Sequence, residues 1–226
     1  TGTFSNVNSL ANADAFRLGA ESDAGNPFDG KIDDTKLYNR TLSSDEVAQI
    51  YRLTTPTGID TSLRAYWPFN GGDTSGTITM DRSGGGNTGT LTNTPTKTIG
   101  KIGQALSFTG ADSGTNQYVN IPSATLTSTD NFTALTLCAW IKPGDQINQF
   151  PVIITKHSTF FTSWDLYLED GGTGPHGFGT SAWGNYVSSS SAPLVQGVWA
   201  HICGVQAGQN ASTYTLYYNG TDITGT

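Results

Sequence analysis

Acid–base chemistry needs carboxylates in pairs, and this chain has few glutamates: Glu21, Glu46 and Glu169. Asp165, Glu169 and Asp170 lie close together in SWDLYLED (163–170). In an extended strand Asp165 and Glu169 share a face. Hydrolysis of a glycosidic bond would ask that of an acid and a second carboxylate. His157, His176 and His201 are scattered, with no Ser-His-Asp array and no zinc spacing. Cys138 and Cys203 are not in a C-x-x-C motif, which excludes a thiolate cluster or a thioredoxin-like centre. Both lie in apolar, strand-like runs, so a disulfide between neighbouring strands is expected, with two buried thiols as the alternative. Trp164, Trp183 and Tyr186 sit among Gly, Ser and Asn, where binding loops occur, and could stack on sugar faces; the alternative is core packing. Asp81 and Asn87 in DRSGGGN (81–87) read either as an oxygen-rich cation loop or as a turn closed by side-chain hydrogen bonds.

The elements that must hold these groups are strands. Gly is 28 of 226 residues, charged residues are 13% and aromatics 11%, a composition of short strands and tight turns over a packed core. Ten runs read as strands: AFRLGA (15–20), KIDDTKLY (31–38), RAYWPF (64–69), QALSF (104–108), QYVNI (117–121), LTLCAWIK (135–142), PVIITKH (151–157), SWDLYLE (163–169), VWAHICGV (198–205) and YTLYYNG (214–220). Strict alternation in KIDDTKLY puts Asp33, Thr35 and Leu37 on one face and Ile32, Asp34, Lys36 and Tyr38 on the other. One short helix is expected over Leu42–Tyr51. Ser43 and Glu46 form its capping box, and Val47, Ile50 and Tyr51 its apolar face. Residues 54–62 read as a linker between segments 1–53 and 63–226. The net charge of −7, with no basic stripe, argues against a nucleic-acid partner. No apolar run is long enough to span a bilayer. The N-x-[ST] triplets at Asn39, Asn131, Asn210 and Asn219 are expected by chance in a chain this rich in Asn and Thr.

GKIDDTKLYNRTLSSDEVAQIY (30–51) resembles the closing end of bacterial laminin-G-like, concanavalin A-like jelly-roll domains. From Leu63 onwards, AYWPFN, DRSGGGNTGTL, GKIGQALSFTG, YVNIP, LTLCAWIKP, VWAHICGV and LYYNGT resemble, in order, the opening and middle of the same family. The resemblance implies an all-β, two-sheet sandwich with one short helix. Its motif order is circularly permuted, and segments 1–53 and 63–226 together make one domain's worth of chain. Three arrangements fit that order: a permuted self-contained domain, a slice of a tandem array, or a subunit whose residues 1–53 complete a neighbour.

The resemblance also implies a structural calcium site at Asp33, Phe69 or Asn70, and Gly110; strict alternation, which puts Asp33 on one face with Thr35 and Leu37, points it towards the sandwich interior near a strand end. Trp67, Trp140 and Trp199 fall in its strand motifs and are expected in the core, and His201 as a packed histidine. The family's catalytic carboxylate pattern is absent, so no glycoside hydrolase is expected. The expected function is a non-catalytic extracellular structural or adhesive module, bacterial and self-associating as a repeat or filament subunit. The alternative is a lectin-like carbohydrate-binding module with glycans as partners.

Overall fold

A computed structural model describes residues 15–21, 26–52, 60–110, 115–122, 133–144, 150–156, 164–169, 176–182, 185–208 and 213–224. Among them the strands run, in chain order, β1 (Phe16–Leu18), β2 (Asp29–Tyr38), β3 (Leu63–Trp67), β4 (Thr74–Ser75), β5 (Ile78–Thr79), β6 (Gly89–Thr92), β7 (Thr96–Ile99), β8 (Gln104–Thr109), β9 (Tyr118–Ile121), β10 (Leu135–Pro143), β11 (Val152–Thr155), β12 (Trp164–Glu169), β13 (His176–Ala182), β14 (Asn185–Leu194), β15 (Ala200–Gln206), β16 (Tyr214–Tyr218) and β17 (Thr221–Asp222). One helix, α1, spans Ser44–Arg52. The strands build a nine-stranded sheet, β14-β13-β12-β11-β1-β9-β6-β5-β4. The eight-stranded sheet runs β17-β16-β15-β10-β2-β8-β7, with β3 also paired to β2. Every pairing is antiparallel.

Alternation explains the sandwich. Trp164, Leu166 and Leu168 lie on one face of β12, Leu106 and Phe108 on one face of β8, and Leu135, Leu137, Ala139 and Ile141 on one face of β10. All of them enter one core with Phe16, Trp67 and Phe178. A smaller cluster forms on the outer face of the eight-stranded sheet, where Val47 of α1 covers Tyr38, Cys138, Cys203, Val205 and Tyr217. β1 sits between β11 and β9, and β2 between β10 and β8, so the first segment fills central positions in both sheets of its own chain.

The capping box forms as expected. The Ser43 N–H donates to Glu46 Oε2 at 2.8 Å, and the Glu46 N–H donates to Ser43 Oγ at 3.3 Å. The sequence did not reveal the clamp around it, in which Arg40 Nη1 and Nη2 donate to the two Glu46 oxygens (2.9 and 2.6 Å) and Nη2 also reaches Asp60. The expected linker 54–62 lies mostly outside the described residues; Asp60 and Ser62 form the turn into β3.

Strict alternation fails in β2. Cys138 faces Lys36 but Trp140 faces Asp33, so Asp34 and Thr35 together oppose Ala139. This is a bulge, with Asp34 at φ +50°. It reverses the parity ahead of it: Ile32 and Leu37 both enter the core, and Asp33 shares the outer face with Trp140. Asp33 therefore does not point into the sandwich interior.

Candidate functional site

Beyond the bulge, β2, β8 and β10 carry two rows of side chains across the outer face of the eight-stranded sheet. Lys142, Lys31 and Ser107 are direct cross-strand partners, and Thr96 continues the row. One step further along, Gly144, Asp29 and Thr109 form the next row, with the Gly144 N–H donating to the Asp29 carbonyl at 2.9 Å. Between them lies a groove of about 310 Å³, lined by Asp29, Lys31, Ser107, Lys142, Gly144 and Gly197 among others. Phe108 and Pro143, facing the other way, close its floor. Glycine is required here. A Cβ at Gly144 would lie 2.6 Å from the Asp29 carboxylate, and one at Gly30 would lie 2.4 Å from the Lys142 carbonyl oxygen. Lys31 Nζ donates to Thr98 Oγ1 at 2.9 Å. The groove thus brings together a carboxylate, two ammonium groups and one hydroxyl, drawn from three strands.

Of the residues expected to hold calcium, Asp33 and Asn70 meet at one turn while Gly110 lies apart. Lys101 and Ile102 N–H groups donate to Asp33 Oδ2 at 2.8 Å each, and the Gln104 N–H donates to Asn70 Oδ1 at 2.7 Å. Both oxygens therefore anchor the Gly100–Gln104 turn, facing donors. Phe69 is fully buried. Gly110 packs on Asp29, four residues along β2 from Asp33, about 13 Å at the rise of an extended strand. Calcium takes six to eight oxygens, so an ion beside Asp33 would need ligands beyond these four residues. Burial raises the Asp33 pKa to about 7 against the lowering effect of the two amides; its Oδ1 has no partner among the described residues.

Asp81 settles the second oxygen-rich segment as a turn. Its carboxylate accepts the backbone N–H groups of Tyr66, Ser83 and Asn87 (2.8–3.0 Å), together with Asn87 Nδ2, tying β3 to the turn.

The aromatic candidates separate. Trp164 is fully buried, its ring 5.2 Å from that of Phe16. It shares the inward face of β12 with Leu166 and Leu168, which removes it as a sugar-stacking surface. Trp183 lies outside the described residues, and Tyr186 falls in β14, opposite Ser181. Trp67 is in the core, whereas Trp140 is on the outer face beneath Tyr51 and Trp199 is only half-buried. Asp165 is buried opposite Thr155 and Ser181, and Glu169 lies four residues on. Their Cα atoms are about 13 Å apart at the rise of an extended strand.

Cys138 and Cys203 face each other across β10 and β15 and are joined by a disulfide. His201 lies beside it with Nδ1 3.9 Å from Cys203 Sγ, enclosed by Trp140 and Tyr51. Burial, with the Lys36 charge nearby, lowers its pKa to about 3, so the ring is neutral. His157 lies outside the described residues, and His176 opens β13.

Two face-to-face antiparallel sheets with a single helical clip define a jelly-roll sandwich of the lectin type. The chain belongs to the Laminin_G_3 family of the concanavalin A-like lectin/glucanases superfamily, whose profile matches residues 1–48 and 113–226. No curated protein and no solved structure matches it. Membership supports a carbohydrate-binding or structural module. Among the described residues, no helix is long and apolar enough to cross a membrane.

Proposed function

We propose that this chain is a non-catalytic, carbohydrate-binding module of the extracellular space, and that the groove at Asp29, Lys31, Ser107 and Lys142 receives the sugar. The observation that carries this reading is the groove itself. It has the volume of a small-ligand site, and its Ser107 hydroxyl can exchange hydrogen bonds with sugar hydroxyls while the ammonium groups donate to ring or carbonyl oxygens. It opens where turns converge on a rigid sheet, the usual place for recognition. The buried disulfide suits an oxidising compartment.

The expectation of a filament subunit rested on the permuted motif order. With β1 and β2 paired centrally in the sheets of this chain, that order is compatible with a self-contained sandwich, which favours the lectin-like reading, with self-association as the second proposal. A glycan array probed with the whole chain tests it. Saturable binding to a defined subset of glycans is expected, and an array without binding would overturn the proposal.

A further inference from the structure

We infer that Cys138, Cys203 and His201 form a second site, latent under the disulfide: once the bridge is reduced, the two thiolates and the His201 imidazole hold a copper(I) ion beneath α1. Cys138 and Cys203 are direct cross-strand partners, and His201 stands two residues before Cys203 on β15. All three therefore share the outer face of the eight-stranded sheet, and all three are fully buried. Their ligand atoms lie within 4.8 Å of one another. Spacing along the chain conceals this set, because Cys138 comes from another strand. The site lies on the far side of the Asp34 bulge from the groove and stands whether or not a sugar binds there.

His201 is the residue that points to a ligand. Its Nε2 has no partner among the described residues, and Nδ1 meets the Cys203 sulfur at 3.9 Å. Sulfur is a weak hydrogen-bond partner, so a fully buried imidazole gains little from it. Two ligands on one three-coordinate ion are about 3.8–4.0 Å apart when the bonds are about 2.0–2.3 Å long. Nδ1 therefore already stands at ligand spacing from Cys203, and breaking the bridge frees Cys138 to turn to the same spacing. The surroundings select the ion. Among the described residues no fourth Cys, His, Asp or Glu atom joins the trio. Val47, Tyr51 and Trp140 enclose it. Zinc in a closed site takes four ligands, whereas copper(I) favours soft thiolates and is satisfied by three donors. Two thiolates and Cu⁺ leave one negative charge. Lys36, the cross-strand partner of Cys138, places beside it an ammonium shared with Asp34.

Opening the site needs a reductant. A dithiol supplies two electrons and two protons: the Cys138–Cys203 S–S bond breaks, two thiols form, and the dithiol closes into its own disulfide. Copper(I) then displaces the two thiol protons to solvent.

The test uses the whole chain, reduced anaerobically with dithiothreitol, freed of it and checked by its gain of two hydrogens in mass. Copper(I) bicinchoninate is the probe. The reduced chain should withdraw about one equivalent of copper(I) and the oxidised chain none. Loading should raise the melting temperature of the reduced chain, and more than zinc does. Where reduction unfolds the chain, copper(I) should restore the fold. His201→Phe, which keeps both cysteines and an aromatic ring, should hold copper(I) at least about 10-fold more weakly, the scale on which even outer-shell partners act. A bridge that the dithiol cannot open in the folded chain would overturn the inference, as would equal uptake by the oxidised chain or no uptake at all. Uptake with neither a thermal shift nor a dependence on His201 would assign the binding to thiols of the unfolded chain and overturn it too. Zinc stabilising the chain as much as copper(I) would overturn the choice of ion.

Discussion

The outer face of the eight-stranded sheet has two halves built on the same strands. In one, α1 lies over Cys138, Cys203, Tyr38 and Tyr217, and Tyr51 closes over Trp140 and His201. Charges there are answered within the chain: Lys36 pairs with Asp34 and lies over the Tyr66 ring, both ions almost fully buried. In the other half, two residues or more along β2 and β10, no element among the described residues covers the sheet. There Lys31 and Lys142 stand side by side with a groove in front of them. A cover turns polar groups into structure, and its absence leaves the same kinds of groups available to a ligand. The Asp34 bulge is where one half passes into the other.

The largest effect should come from the covered half. Replacing Cys138 and Cys203 together by alanine is expected to cost about 2–4 kcal/mol of unfolding free energy, since the bridge closes a long loop across β10 and β15. Denaturant titration measures this. A cost near zero would mean that the helix and the packing hold that half without the bond.

Asp33 marks the boundary between the halves, and its substitutions separate two contributions. Asp33→Ala removes the acceptor for Lys101 and Ile102 N–H and should cost about 1–3 kcal/mol. Asp33→Asn keeps an acceptor and ends the titration. The folded-state pKa of about 7 lies above the ordinary 3.8, so the stabilisation from the neutral carboxyl is fully present below about pH 3.8 and is lost as pH rises towards 7. The wild type should therefore lose stability relative to Asp33→Asn between pH 4 and pH 7, and parallel melting curves for the two across that range would refute the assignment.

The Arg40 clamp is more exposed and counts for less. Arg40→Ala should lower stability by no more than about 1 kcal/mol. Hydrogen bonds from Arg40 hold the Glu46 pKa at about 2, so the contribution is present above the ordinary carboxylate pKa and lost as pH falls towards 2. Smallest of all, a chelator should leave the melting temperature unchanged, because Asp33 Oδ2 and Asn70 Oδ1 already accept N–H donors. A drop reversed by Ca²⁺ would contradict this.

Local chemistry made part of this legible in advance. The Ser43–Glu46 box could be read because its partners are three residues apart, and the alternating runs in β8, β10 and β12 because one face is apolar. The bulge could not: one extra residue in β2 leaves KIDDTKLY looking regular, and only its pairing with β10 exposes the shift that turns Asp33 outwards. β13 and β14 were missed as strands, since HGFGTSA and NYVSSSSAPL lack an apolar alternation. The groove was invisible for another reason. Asp29, Ser107, Lys142 and Gly197 are far apart in the chain, and no spacing between them points to a shared site.

The central claim is that the sugar binds on the open half of this face. The most direct measurement is amide chemical-shift mapping on the isotopically labelled chain with a glycan that binds in the array, repeated with Ser107→Phe, whose outward ring would fill the groove. The account predicts shifts clustered at Asp29, Lys31, Ser107, Lys142 and Gly144, and their loss in the variant at unchanged melting temperature. Shifts centred instead on Thr155 and Asp165 of the nine-stranded sheet, undisturbed by Ser107→Phe, would contradict it.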